Sequence, residues 1–421
     1  MKLSKYIQYV EIDDETKMIY SYKNRSYYIY DIKNDKQIKE LTQNLNKGEY
    51  KKSEIDIIRH LMNKGIVLKD EHNELDELEY KENRVKYNSN VLQIMVILTN
   101  DCNFRCTYCI QNHEKKYLDN LSEKKIVRFI EKKMDNHKKI SICWFGGEPL
   151  IKMDSISRMY ERLEETAKKK GCSIVSQITT NGYLLTDKNI RKIKGMNTRA
   201  LQITIDGDKE SHNKTRPLLG GKGTYDIVIK NLLNAAKQGL HIDLRINVDN
   251  NNIGNVEGML YEIPEEERKN ITVTVSNLYQ TEDKLSTFHI YETAIKLGYQ
   301  FSERKNLFHA CEVCVAHGYI IDSEAKYIIC ANDDDKHVLG KIEENGDLNI
   351  SNISLVYKIK NTSTLKNESC RECKRLPLCI GTCKKARYKN NVGCINKDLP
   401  SGLTIEEMAK LDYLYDMRME E

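Results

Sequence analysis

The chain has 421 residues, 40% hydrophobic and 31% charged, with 67 basic against 62 acidic side chains. That length allows two or three domains with a sizeable core. The mild charge excess, without a basic stripe interleaved with aromatics, gives little support to nucleic-acid binding, and no apolar run reaches the roughly eighteen residues of a membrane span.

The opening stretch "MKLSKYIQYVEIDDE" lacks an apolar signal-peptide core and a small-residue cleavage site, so a cytoplasmic location is expected. In that reducing compartment, thirteen cysteines at short spacings read as metal ligands or catalysts rather than disulfides.

Residues 1–88 form a first unit. "YVEI", "MIYSY" and "SYYIYDI" alternate as strands do, helical stretches follow near 35–45 and 52–64, and "GIVLKD" is a short strand. This order predicts a small winged-helix-like domain. Its 17 basic and 17 acidic residues make it a poor phosphate binder, which favours a peptide or protein partner. The stretch "HNELDELEYKENRVKY" reads as a charged linker to residue 89.

From 89 to 300 strand and helix repeat. Apolar, β-branched runs lie at 92–99, 140–145, 174–180, 201–206, 241–248 and 271–276; helical periods lie at 121–135, 153–170, 186–195, 224–239, 253–262 and 285–298. Six such units predict an α/β fold, a partial (β/α)6 TIM-like barrel. A cysteine triplet follows the first strand, "FGGEP" the second, "TTNG" the third and "DGDKESHNKTR" the fourth. Active sites sit at the carboxyl ends of barrel strands, so these four motifs should line one mouth. Residues 301–421 are cysteine-dense and expected to be loop-rich, a region that metal clusters would stabilise.

The cysteines sort into three groups. "CNFRCTYC" holds Cys102, Cys106 and Cys109; Cys143 and Cys172 stand alone; eight follow residue 310, namely Cys311, Cys314, Cys330, Cys370, Cys373, Cys379, Cys383 and Cys394. Eight thiolates suffice for two four-iron clusters or two zinc sites. Three thiolates around a four-iron cube leave one iron open to a small molecule, which closed structural sites do not offer. The competing reading of the triplet is a zinc site completed by His113. Cys143, beside Trp144, reads as a buried strand cysteine, and Cys172 as an inert loop cysteine.

Cys102-x3-Cys106-x2-Cys109, with Tyr108 before the last cysteine, resembles the signature of radical S-adenosylmethionine (SAM) enzymes, and Gly146 to Pro149 resembles that family's second-strand motif. Cys370-x2-Cys373-x5-Cys379-x3-Cys383 followed by Cys394 is similar to the SPASM extension with its auxiliary clusters. Residues 1–88 resemble the leader-peptide recognition element of enzymes that modify ribosomally made peptides. The resemblance implies three 4Fe–4S clusters, S-adenosylmethionine, an electron donor such as flavodoxin or ferredoxin, and a precursor peptide held by its leader. Neither nucleic acid nor membrane is an expected partner. It implies reductive cleavage of S-adenosylmethionine to a 5′-deoxyadenosyl radical and a crosslinked peptide product, with a thioether first and a carbon–carbon bond next. An anaerobic sulfatase-maturating enzyme is the nearest alternative, and a zinc-dependent nucleic-acid-binding protein is the non-enzymatic one.

Residue by residue, the resemblance gives Cys102, Cys106 and Cys109 the radical cluster. Tyr108 would lie near the adenine, Gly146 and Gly147 would let backbone approach the cofactor, and Glu148 would accept from its ammonium. Thr180 and Asn181 would contact its polar end, Asp206 its ribose or methionine portion, and Arg216 its carboxylate. The residues themselves leave other roles open: Glu148 as a helix-terminal charge, Asp206-Gly207 as a turn, Arg216 in a loop salt bridge. Family precedent groups Cys311, Cys314, Cys330 and Cys383 around a nearer cluster, and Cys370, Cys373, Cys379 and Cys394 around a farther one. Cys311 could instead be spare, leaving an open auxiliary iron. Asp333 to Asp335 are candidate general bases.

Overall fold

A computed structural model describes residues 1–45, 47–278, 280, 284–301, 311–332, 337–379, 383, 385, 388 and 401–420. Cys394 and Asp333 to Asp335 lie outside the described residues. The first unit begins with β1 (Lys2–Leu3), β2 (Ile7–Glu11), β3 (Thr16–Ser21) and β4 (Ser26–Asp31), then α1 (Asp35–Leu45), α2 (Ile55–Asn63) and β5 (Val67–Leu68). Strands β2, β3 and β4 form an antiparallel meander with Ile19 opposite Tyr9 and Tyr28, while β1 pairs with β5. The strand and helix order expected for 1–88 is present, with the two-residue β1 added. One face of the meander packs Ile19 and Tyr30 on Ile38, Leu41, Ile58 and Leu61. The other sets Tyr6, Met18, Tyr20 and Tyr22 against Leu78, Leu376 and Ala409, so this unit shares a core with segments more than three hundred residues away.

The expected linker is instead a helix, α3 (Glu74–Lys86). Asn73 caps it by accepting from the Leu75 N–H; Glu74, Asp76 and Glu77 occupy its first turn and Arg84 and Lys86 its last. Those charges oppose the helix dipole at both ends. The charge density that suggested a linker is the helix's own terminal pattern.

The repeating region runs β6 (Val91–Ile97), α4 (Asn120–Lys133), β7 (Lys139–Phe145), α5 (Met153–Lys170), β8 (Ser173–Thr180), α6 (Asp187–Lys194), β9 (Thr198–Thr204), α7 (Lys209–Thr215) and α8 (Tyr225–Lys237). It continues with β10 (Ile242–Val248), α9 (Val256–Glu262), α10 (Glu265–Arg268), β11 (Ile271–Asn277), α11 (Phe288–Lys296) and β12 (Gln300–Phe301). Neighbouring strands are parallel and lie side by side in chain order, the arrangement of a partial barrel. Leu92, Ile94, Val96, Ile140, Ile142, Trp144, Leu201, Ile203, Ile242, Leu244 and Ile246 are buried in the main core. The residues between them, among them Gln93, Ser141, Gln177, Gln202, Asp243 and Arg245, are half-buried and point to the opposite face. Period-two alternation therefore gives the sheet one apolar face for the helices and one polar face. The indole N–H of fully buried Trp144 donates to Ser176 Oγ at 2.7 Å, so its polar atom is satisfied inside the core.

The tail carries more regular structure than expected. After residue 310 come β13 (Gly318–Ile321), β14 (Lys326–Ile328), β15 (Val338–Ile342), β16 (Leu348–Ile350), α12 (Ile353–Lys360), α13 (Glu368–Arg371), α14 (Leu376–Cys379) and α15 (Ile405–Glu420). Strand β13 lies parallel to β6, and an antiparallel meander continues from it, giving eleven strands in one sheet among the described residues. Strands of three to five residues are too short to register as a period in sequence.

Helix α15 packs on α11 and reaches β2. Its Asp412 is fully buried and accepts from Tyr20 Oη at 2.6 Å, Arg25 Nε at 2.7 Å and Arg25 Nη2 at 2.6 Å. Between α15 and β4, the terminal strand of its three-stranded sheet, lies a groove of about 450 Å³ lined by residues including Tyr27, Ile29, Lys64, Tyr413, Met417 and Met419. Among the described residues, no helix is long and apolar enough to cross a membrane.

Candidate active site

The loop after β6 carries Cys102, Cys106 and Cys109, and its backbone is pinned by the turn after β7. Gly147 N–H donates to Thr99 O at 2.9 Å and Glu148 N–H to Asp101 O at 3.0 Å. A Cβ on Gly146, whose φ is +152°, would stand 2.5 Å from Thr99 O; one on Gly147 would stand 2.2 Å from Asp101 O. The close approach that requires these glycines is thus to the cysteine loop itself.

Glu148 is fully buried. Its carboxylate accepts from Leu150 N–H at 2.9 Å, Thr180 Oγ1 at 2.7 Å and Asn181 N–H at 2.8 Å. It caps the short 3₁₀ turn at 149–152 and clamps the end of β8 to the end of β7, the helix-terminal role left open by its sequence. Burial pushes its carboxyl above the usual range against these donors. Thr180 and Asn181 complete the clamp. The Asn181 amide donates to Asn103 Oδ1 at 2.8 Å and lies 3.6 Å from Cys102 Sγ, with Phe104 N–H at 3.3 Å from the same sulfur.

Cys102 is buried, Cys106 half-buried and Cys109 exposed. Burial pushes the Cys102 thiol up to about 12. Burial also raises Cys106, opposed by the Arg216 guanidinium. Thiols this reluctant to ionise become thiolates when a metal supplies the positive charge. Among the described residues, no three His, Cys, Asp or Glu side chains surround one point as a mononuclear metal site requires, and His113 closes no such site with the triplet.

Across the mouth, Tyr108 Oη donates to Asp206 and accepts from Arg216 Nη1 at 2.5 Å and Asn247 Nδ2 at 3.2 Å. Asp206, fully buried, also accepts from Asn247 N–H at 3.0 Å. Gly207 follows with φ +94°, so the turn reading of this pair holds and the carboxylate serves a bridge between β9, β10 and the cysteine loop. Arg216 lies 3.9 Å from Asp206 and 5.7 Å from the Phe104 ring centroid. Its Nε, however, is buried without a partner, as are Asn103 Nδ2, Gln111 Oε1 and His113 Nδ1. Unfilled donors and acceptors around three thiols fit a polar, carboxylate-bearing ligand on an iron–sulfur cluster.

Asn247 lies outside every quoted motif, and His212 lies within "DGDKESHNKTR" without having been singled out. His212 is fully buried; its Nδ1 accepts from Asp206 N–H at 3.3 Å and Nε2 lies 3.1 Å from Thr224 Oγ1. Burial pulls its imidazole from 6.5 to about 2. The folded state thus holds His212 neutral while the unfolded chain binds a proton below about 6.5, so its contribution is full above that pH and falls as pH drops. Between pH 6.5 and 5.5, wild-type protein should lose about 1 kcal/mol more unfolding free energy than His212→Asn. Urea titrations at the two pH values check this, and parallel losses would reject it.

In the tail, Cys311 and Cys314 are linked by a Cys314 N–H to Cys311 O bond of 3.0 Å, and Cys311 lies in the electrostatic reach of both Cys314 and Cys330. Burial pushes Cys311 up to about 12. Cys370 lies in α13, Cys379 ends α14 and Cys373 lies between them, its N–H donating to Cys370 O at 3.1 Å, while Cys383 is exposed. Cys143 lies half-buried on the inner face of β7, and Cys172 Sγ donates to His137 O at 2.8 Å, a local structural contact.

The profile of the Radical SAM superfamily matches residues 96–260, the segment that holds the triplet, Gly-Gly-Glu and the Asp206–Arg216 bridge. That match covers less than half of the chain. The radical SAM cyclopropyl synthase TigE of Paramaledivibacter caminithermalis is 26% identical over 228 residues, covering 49% of this chain and 45% of TigE. The cysteine-type anaerobic sulfatase-maturating enzyme of Clostridium perfringens is 23% identical over 330 residues, covering 68% of this chain and 86% of that enzyme. The chain spans about half the length of the first curated relatives it matches. Streptococcus suis SuiB bound to precursor peptide SuiA shares 15% identity and a TM-score of 0.51, covering 96% of this chain and 100% of that one, a likeness of fold. The α/β sheet expected from the strand–helix repeat is present, and its fold is like that of this neighbour.

Proposed function

We propose that the chain is a peptide maturase that reductively cleaves S-adenosylmethionine and crosslinks a ribosomally made precursor peptide, with a thioether product favoured over a carbon–carbon bond. The observation that carries this reading is the loop of three thiols clamped by Gly146, Gly147 and Glu148 and ringed by unfilled polar atoms. With a 4Fe–4S cluster and S-adenosylmethionine bound there, the chemistry supplied is a 5′-deoxyadenosyl radical that takes a hydrogen atom from the peptide.

The chain's own residues position that chemistry. Cys102, Cys106 and Cys109 would hold the cluster; Asn181 and Phe104 N–H orient the Cys102 sulfur. Arg216 is fixed by Tyr108, and its unpartnered Nε–H would be available to the methionine carboxylate. Asp206 and Asn247 fix Tyr108 in turn. The polar inner face of β6–β10 excludes bulk water once a peptide fills it. Cys311, Cys314, Cys330 and Cys383, and Cys370, Cys373, Cys379 and Cys394, would hold two auxiliary clusters, with flavodoxin or ferredoxin as electron source in the cytoplasm.

The leader would add to the β4 edge, where main-chain groups give affinity and the groove to α15 takes side chains. Support comes from the neutral charge of residues 1–88 and from the fold shared with peptide-bound SuiB. Placing a carboxylate at Ile29, 40% exposed in that groove, tests it. Ile29→Asp should weaken precursor binding at least about tenfold, equivalent to about 1.4 kcal/mol, and leave S-adenosylmethionine cleavage without peptide unchanged. Fluorescence anisotropy with a labelled leader reads the first, chromatography of 5′-deoxyadenosine the second; unaltered leader affinity rejects the β4 edge. Sulfatase maturation, supported by the Clostridium perfringens relative, is the second reading. The unit at residues 1–88 argues against it, since a protein substrate with a short internal motif needs no leader reader.

A further inference from the structure

Lys360, the last residue of α12, projects its ammonium toward the Cys311–Cys314 loop. Nζ donates to Gly318 O at 2.7 Å and to Glu312 O at 2.9 Å, carbonyls on the segment that presents Cys311 and Cys314. It lies 6.0 Å from the Tyr319 ring centroid. Among the described residues no carboxylate stands within ion-pair distance of it, and the ionisable groups placed to act on it are the Cys314 and Cys311 thiols and, more weakly, Glu312. Burial pulls its ammonium down, so the charge is held away from water.

A desolvated ammonium tied only to carbonyls keeps its net charge, and leaving it without a counter-anion is costly. The groups placed to compensate it are cysteine sulfurs, which are neutral as thiols and carry negative charge when they ligate a metal. We infer that Lys360 is a positioning residue for the nearer auxiliary site, supplying the counter-charge to a metal-bound Cys311, Cys314 and Cys330 set while tethering the loop that presents it. The inference rests on the auxiliary-cluster reading proposed above. A fixed positive charge beside a cluster favours the form that carries one more electron, so it raises that cluster's reduction potential.

The test uses full-length protein with Cys102, Cys106 and Cys109 all changed to Ala, in which iron is confined to auxiliary sites. It is titrated with dithionite and viologen mediators and followed by electron paramagnetic resonance. At the parent's midpoint, Lys360→Met should lower the reduced-to-oxidised ratio of one auxiliary signal tenfold, which is 59 mV for a one-electron couple. The other signal should stay in place, and Lys360→Arg should restore the first. Signals that do not move, or that move together, overturn the inference. Loss of that signal in the Met and Arg variants alike also overturns it, because packing rather than charge would then be the requirement. A parent without auxiliary iron sinks the cluster reading itself and the inference with it.

Discussion

Changing Cys102, Cys106 and Cys109 together to Ala should abolish 5′-deoxyadenosine formation while about eight of about twelve irons remain bound. The reason is local. Cys102 and Cys106 sit in an environment that disfavours thiolates until a metal arrives, so removing the three sulfurs removes the thiolates that loop offers to iron. The tail cysteines lie on separate segments of the chain, beyond β12. Anaerobic reconstitution followed by iron analysis and chromatography of the cofactor products measures both outcomes. Persisting turnover of S-adenosylmethionine would move the radical site elsewhere; a colourless protein with zinc would end the enzymatic reading.

The second large effect is structural. Asp412→Ala should destabilise the protein by about 3–5 kcal/mol, because it strips a buried guanidinium of its bidentate carboxylate. Asp412 is fully buried and the Arg25 side chain is 11% exposed, so water cannot replace the lost partner. The loss should fall first on the docking of residues 1–88, read as earlier urea unfolding and faster proteolysis between α3 and β6. Replacing both members, Arg25→Met with Asp412→Leu, should recover most of the stability, since an apolar pair of similar volume satisfies a buried site. A double variant as weak as the single one would show that the ionic contact itself is required.

The barrel was legible because its strands and helices obey long, regular periods: the helix expected at 153–170 spans Met153–Lys170, and the strand expected at 271–276 spans Ile271–Asn277. The polar inner face was harder to see. Gln93, Gln202 and Asp243 stand singly between apolar residues, so the apolar run masks the alternation. Helix α3 was missed because its amphipathic stripe is thin and its charges dominate. For the site, the family resemblance named the triplet, Gly-Gly-Glu, Asn181, Asp206 and Arg216 as candidates. It could not tell that the glycines serve the cysteine loop, or that Glu148 spends its oxygens on backbone and hydroxyl donors. Asn247 and His212 act through contacts 41 and six residues distant from Asp206, and such partners carry no local signature.

Arg25 and Asp412 are separated by 387 positions, yet each completes the other's burial. A ribosome adding roughly 5–20 residues per second needs about 20–80 s to travel between them. During that interval the aromatic face of Tyr6, Tyr20 and Tyr22 has emerged without Ala409 or Asp412 to cover it. The nascent meander is therefore the stretch where a holding chaperone, or an incoming leader, would find its longest opening.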